Sequence, residues 1–188
     1  MEKWKKINRV PAPVLVPGYG PLSGMRVLIS GAIVAGPFVG TYLSDFGAET
    51  IMIERLKTGD PTRAQTPMAK HDGKEISAAW INDGRNRLSF TLNVNMRIPE
   101  SKEIYLSLVK NVDVFVENMV WLDKFGITDE MLLEVNPKLI LVHINGFGNP
   151  QFGGIQEICD KPCYDPEAQA ESGYSYLNGY PEPSPPMY

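Results

Sequence analysis

The sequence predicts an α/β protein, a Rossmann-like parallel sheet with flanking helices, and three observations carry that expectation. Residues 25–55, MRVLISGAIVAGPFVGTYLSDFGAETIMIER, read as strand, glycine-marked turn, helix and second strand with almost no slack between them. The second half repeats the rhythm, with helix-period segments placed before the apolar runs 112–116 and 139–144. Both runs end in polar or glycine-rich turns, Glu117-Asn118 and Asn145-Gly146-Phe147-Gly148. In an open parallel sheet ligands collect beyond the carboxyl ends of the strands, so these turns and the Gly31 turn are expected on one rim.

Residues 1–22 read as an extended arm, because Pro11, Pro13, Pro17 and Pro21 forbid a regular helix while Trp4 and the 14–16 apolar run offer anchors. The first strand spans 26–30 around Val27, Leu28 and Ile29, and the second is centred on 51–53. Gly31 and Gly36 bracket the intervening turn, and Pro37 sits in the first helical turn, where proline is tolerated. A helix N-terminus of this kind offers backbone N–H groups to phosphate. Glu54 stands where a ribose-binding acid follows the Gly-x-Gly-x-x-Gly fingerprint, but Ala32 to Ala35 separate the two glycines, so the tight Gly-x-Gly approach to a pyrophosphate is missing. The same glycines would equally let a helix pack closely on a sheet, and both readings stay open.

A polar loop follows over 57–75, then two short strands at 79–82 and 88–92. A helix is expected over 100–110, a strand over 112–116, a helix from the N-cap Thr128 to Val135, and a buried strand over 139–144. Residues 164–173 carry a short helical pattern, and 180–188, YPEPSPPMY, are nearly half proline.

Composition narrows the function. A chain of 188 residues, 43% apolar and 21% charged, is long enough for one good core. Its apolar runs are strand-length, and the N-terminus MEKWKKINR leads into prolines, so a membrane span and a signal peptide are not expected. A net charge of −4 gives no general attraction to nucleic acid, although Arg55, Lys57 and Arg63 could meet a small anion. Cys159 and Cys163 lack a second Cys or His pair to complete a zinc site, so they are expected as free thiols in a cytoplasmic protein without a metal.

Several ordered blocks then resemble the N-terminal part of the class III CoA-transferases, the family of formyl-CoA transferase and carnitine CoA-transferase. They are GPLSGMRVLISGAIVAGPF (20–38), GAETIMIER with the following GDPTR (47–63), NRLSFTLN (86–93), DVFVEN (113–118), GITDEMLLEVNPKLILVHINGFG (126–148) and YDPEAQAESG (164–173). The block VENMVWLDKFGITDE further resembles the branch acting on 2-hydroxy acids or aryl lactates. The resemblance implies an arm (1–22), an incomplete Rossmann-like CoA-binding domain (23–163) and the start of a connection (164–188). It places Ile33, Val34 and Ala35 against the nucleotide, Arg55 near the adenosine phosphates, Asn118 and Met119 along the pantetheine, Lys124 near the phosphates, and Gly146, Phe147 and Gly148 on the same rim. Arg55 read by itself is a solvated strand-end arginine, and that alternative stays open.

Proteins of this kind move CoA from a thioester to a free carboxylate without a metal. An aspartate attacks the thioester carbonyl to give a mixed anhydride and CoA thiolate, the thiolate returns to form an aspartyl-CoA thioester, and the steps reverse on the acceptor acid. The resemblance implies interlaced homodimers, and it places that aspartate just past Tyr188, so no catalytic residue is expected within 1–188. Asp165 instead matches the aspartate of the related acyl-CoA racemases, whose Gly-His-Asp triplet is here Cys163, Tyr164 and Asp165. Taken alone, Asp165 is a helix N-cap, His71 lies in a polar loop, and His143 reads as a satisfied structural histidine. A CoA-binding module without turnover and half of a nicotinamide oxidoreductase are the rival readings.

Overall fold

The computed structural model describes residues 20–120 and 122–178, so the expected arm up to residue 19 and the proline-rich tail at 180–188 lie outside the described residues. The chain forms two compact units, Met1–His143 and Ile144–Tyr188. The division falls at the end of the last sheet strand, and the expected boundary at 163 lies inside the second unit.

In the first unit, β1 (Arg26–Ile29), β2 (Glu49–Glu54), β5 (Arg87–Thr91), β6 (Val114–Glu117) and β7 (Ile140–His143) form one parallel sheet in the order β5-β2-β1-β6-β7. The apolar run of β1 is central and fully buried, as a strand covered on both faces requires. From β1 the chain builds outward to β2 and β5, then crosses over to build β6 and β7 on the other side. The order therefore reverses between β1 and β6, and that crevice is the topological switch point.

One face of the sheet carries the main apolar cluster. Leu28 and Phe115, which are register partners, pack with Tyr105 and Val109 of α3 (Pro99–Val109) and with Ile127, Leu132 and Leu139. Each such fully buried side chain contributes roughly 1.5–3 kcal/mol. On the opposite face α1 (Ala35–Asp45) approaches so closely that a Cβ on Gly40 would stand 1.8 Å from Ile29 Cδ1 and 3.0 Å from Thr50 Cγ2. Gly40, rather than Gly31 or Gly36, is the glycine that seats the helix on the sheet. The predicted cap of α4 (Asp129–Val135) is present, since Thr128 Oγ1 accepts the Met131 N–H at 3.4 Å with Asp129 and Glu130 in the first turn.

Three elements differ from expectation. Residues 79–82 are not a strand but lie in α2 (Ala78–Asp83), because Ser77 caps the Trp80 N–H at 3.2 Å and overrides the β preference of Trp80 and Ile81. The polar loop contains a 3-10 turn, Pro61–Ala64, and an antiparallel hairpin, β3 (Met68–His71) with β4 (Lys74–Ser77). The strand expected to be buried at 139–144 is the sheet edge, and Ile140 is 56% exposed.

The second unit holds a 3-10 turn, Pro150–Phe152, then α5 (Asp165–Glu171) and α6 (Tyr174–Leu177). Cys159 is buried with its Sγ 3.6 Å from the Phe147 carbonyl, and both cysteines are free thiols. No described helix is long and apolar enough to cross a membrane.

Candidate functional site

The switch point is built from the ends of β1 and β6. Asn118, one residue beyond β6, places its carboxamide across the turn after β1: its Oδ1 accepts the Ala32 N–H and its Nδ2 donates to the Ala32 carbonyl, each at 3.0 Å. A Cβ on Gly31 would stand 2.1 Å from that Oδ1, and one on Gly36 2.7 Å from it. The glycine bracket therefore makes room for Asn118.

Ile33, the next residue of the turn, has φ +70, a left-handed conformation that is costly for a β-branched side chain. A side chain from the loop after β2 holds it there. Asp60, 3% exposed, accepts the Ile33 N–H at 2.9 Å through Oδ2 and the Thr62 N–H at 2.8 Å through Oδ1. The Asp60 N–H donates in turn to Glu54 Oε2 at 2.8 Å, and Arg63 clamps the same carboxylate through Nε and Nη2, each at 2.7 Å. The Arg63 guanidinium lies 3.7 Å from the centroid of Trp80. Burial works to raise the Glu54 carboxyl, but hydrogen bonds from Arg63, Ser89 and the Asp60 N–H outweigh it and bring it down to about 2.

Glu54 is thus fully engaged, and it is not the free acid that a ribose would need. Arg63, read from the sequence as a group for a small anion, is its structural partner. With that frame fixed, Val34 is 48% exposed and Ala35 is exposed at the start of α1, whose first turn has neither a capping side chain nor an acidic residue. The orphan N–H groups of that turn suit an anion.

A second polar cluster lies behind Asn118. Buried Glu117 accepts the Met119 N–H at 2.6 Å through Oε2 and pairs through Oε1 with His143 Nδ1 at 2.7 Å. Asp129 Oδ2 lies 3.2 Å from the other ring nitrogen of His143. The hydrogen bond to Glu117 holds His143 above its ordinary range; desolvation opposes it, and the charges of Asp129 and Glu117 add to it. His143 is indeed satisfied, by two carboxylates.

The other expected residues are more dispersed. Arg55 is exposed after β2 and makes no ion pair among the described residues. Met119 packs its side chain on the main core cluster. Lys124 lines an open groove of about 320 Å³ with Met96, Arg97, Lys102, Asp123, Phe125 and Gly126. Gly146, Phe147 and Gly148 belong to the second unit, where a Cβ on Gly146 would stand 2.0 Å from Cys163 Cβ. Asp165 is the first residue of α5 rather than its N-cap, which is Tyr164, and its Oδ2 accepts the Gln169 amide at 2.5 Å. His71 is exposed at the hairpin beside Asp72. No group of three or more His, Cys, Asp or Glu among the described residues is arranged to hold a metal.

Sequence reasoning did not assign roles to Asp60, Glu117 or Asp129. The signal for Asp60 was Gly59-Asp60-Pro61-Thr62, a turn signature followed by Arg63. For Glu117 and Asp129 there was none, since their meeting at His143 depends on strand order.

Residues 22–188 match the family model described as CoA-transferase family III. The chain is 37% identical over 168 residues to the bile acid CoA-transferase BaiK of Clostridium scindens, covering 88% of this chain and 35% of BaiK. The crystal structure of a CAIB/BAIF family protein from Brucella suis superposes with a TM-score of 0.78 at 34% identity, covering 90% of this chain and 44% of that one. Rv3272 from Mycobacterium tuberculosis, in its orthorhombic form, superposes with a TM-score of 0.73 at 28% identity, covering 89% and 44%. The chain thus spans about a third of the curated relative and under half of these solved chains.

Proposed function

From the premise that the chain belongs to CoA-transferase family III, we propose that it supplies the first part of the CoA site of an enzyme that passes CoA between an acyl-CoA thioester and a free carboxylic acid. The observation that carries this reading is the clasp of Asn118 on Ala32 at the switch point, which fixes the turn beside the uncapped start of α1. Ile33, Val34 and Ala35 receive the nucleotide, and Arg55 and Lys124 face its phosphates. Asn118 and Met119 border the pantetheine.

In this reading the nucleophile is an aspartate other than Asp165, whose carboxylate is occupied by Gln169 in the first turn of α5. The chemistry needs that carboxylate, donors for the oxyanion, and exclusion of water from the anhydride. The enzyme works in the cytoplasm as an interlaced homodimer. BaiK is named for bile acids; here the acceptor proposed is a 2-hydroxy acid or an aryl lactate, on the resemblance of the 116–130 block.

Calorimetric titration of the chain with CoA tests the reading. CoA is expected to bind, NAD is expected not to compete, and Asn118→Ala is expected to weaken CoA about 10-fold, or ~1.4 kcal/mol. Absence of CoA binding, or displacement of CoA by NAD, would overturn the proposal. CoA exchange between acids by the whole enzyme, followed by chromatography of the thioesters, distinguishes the transferase from a CoA-binding module without turnover.

A further inference from the structure

The triad of Glu117, His143 and Asp129 has no role in the reading above, and it joins three elements, β6, β7 and α4, at one point. Its placement is specific. Glu117 is the last residue of β6, its side chain is 8% exposed, and its second oxygen holds the Met119 N–H at 2.6 Å. Asn118, between these two residues, clasps the β1 turn. The geometry of the turn at the switch point is thus tied to one buried carboxylate, and that carboxylate is tied to one imidazole.

We propose that His143 is a positioning residue whose protonation holds the Asn118–Met119 turn in its CoA-binding geometry and whose deprotonation releases it. The inference rests on the reading of that turn as part of the CoA rim. The chemistry is one of matching donors to acceptors. Ionised carboxylates only accept hydrogen bonds, whereas imidazolium donates from both ring nitrogens. With Glu117 on one side and Asp129 on the other, the charged ring satisfies both carboxylates. A neutral ring presents a lone pair to one of them and leaves buried Glu117 without a compensating charge.

The groups acting on the ring from the elements packed around it are Glu117 of β6 and Asp129 of α4. Tyr105 of α3 lies near Glu117 as a neutral phenol, pushed up by burial, and donates to Ser30 Oγ at 3.0 Å. Both carboxylates favour the protonated ring, and they keep it protonated further toward alkaline pH than a free histidine.

The test combines nuclear magnetic resonance of the His143 ring, hydrogen exchange of the Met119 amide against the Leu28 amide as reference, and CoA titration, all across pH. For the parent chain, Met119 protection and CoA affinity are expected to fall together with the midpoint of the His143 titration, the affinity by about 5-fold. His143→Gln, which keeps a donor but does not titrate, is expected to remove that pH dependence. Asp129→Asn, which changes only the more exposed carboxylate, is expected to move the midpoint to lower pH. Met119 protection that follows Leu28 across the His143 titration, or an H143Q variant with the parent's pH dependence, would overturn the proposal. Failure of CoA to bind at any pH would instead overturn the proposed function, while the His143 and Met119 measurements would still decide this inference.

Discussion

At Gly31 the absent side chain is explained by a neighbour 87 positions away in the chain: the carboxamide of Asn118 occupies the place a Cβ would take, 2.1 Å from its Oδ1. Gly31→Ala is therefore expected to destabilise the protein by about 2–3 kcal/mol, the cost of overpacking a well-filled site. In an Asn118→Ala background the Oδ1 and Cγ are gone, and of the three nearest atoms the Asn118 backbone nitrogen at 3.3 Å remains against the added methyl. A double-mutant cycle by urea unfolding is expected to give a coupling of about 1–2 kcal/mol, and additivity within about 0.5 kcal/mol would contradict the packing account. Ile33 illustrates the complementary case, a residue whose left-handed backbone is held by a buried carboxylate of another segment.

Among the elements, the loop after β2 behaves as a brace. Glu54 ends β2, Arg63 closes on it from the 3-10 turn, and Asp60 between them reaches Ile33. Glu54→Gln is expected to cost about 2–3 kcal/mol at neutral pH, less than breaking a fully buried pair because Arg63 is partly solvated. The sign with pH follows from the depressed carboxyl. Its contribution is complete above the unfolded value of 4.5 and is lost as pH falls toward about 2. Denaturation midpoints of parent and E54Q should converge through that window; a constant difference would rule out the linkage. His143 works in the opposite direction, since its raised folded value stabilises the protein below its unfolded value and the gain is lost as pH rises through the folded one.

For the molecule as a whole, the surface of the second unit is the notable feature. Phe152 is 80% exposed, Tyr176 79% and Leu177 83%, and Ile155, Tyr164 and Tyr174 are each more than half exposed. Apolar exposure on this scale favours association. Sedimentation of the chain is expected to show mass increasing with concentration over a ~100-fold range, and a single monomeric species with cooperative, concentration-independent unfolding would contradict this.

The sequence by itself determined the α/β class, the strands of the sheet and the N-cap of α4, because these depend on local periodicity and on side chains bonding their own neighbours. Its ordered blocks also pointed to the CoA-transferase family, to which the chain belongs. Strand-like residues 79–82 became a helix because a serine cap outweighed β preference, and the apolar run at 140–143 proved half-exposed because it falls at the sheet edge. Only the tertiary structure decided why Gly31 is glycine, that Glu54 is occupied by Arg63, and that Glu117, His143 and Asp129 meet. Strand order brings β1 beside β6 and β6 beside β7, and contacts between residues so far apart in the chain leave no local pattern to read.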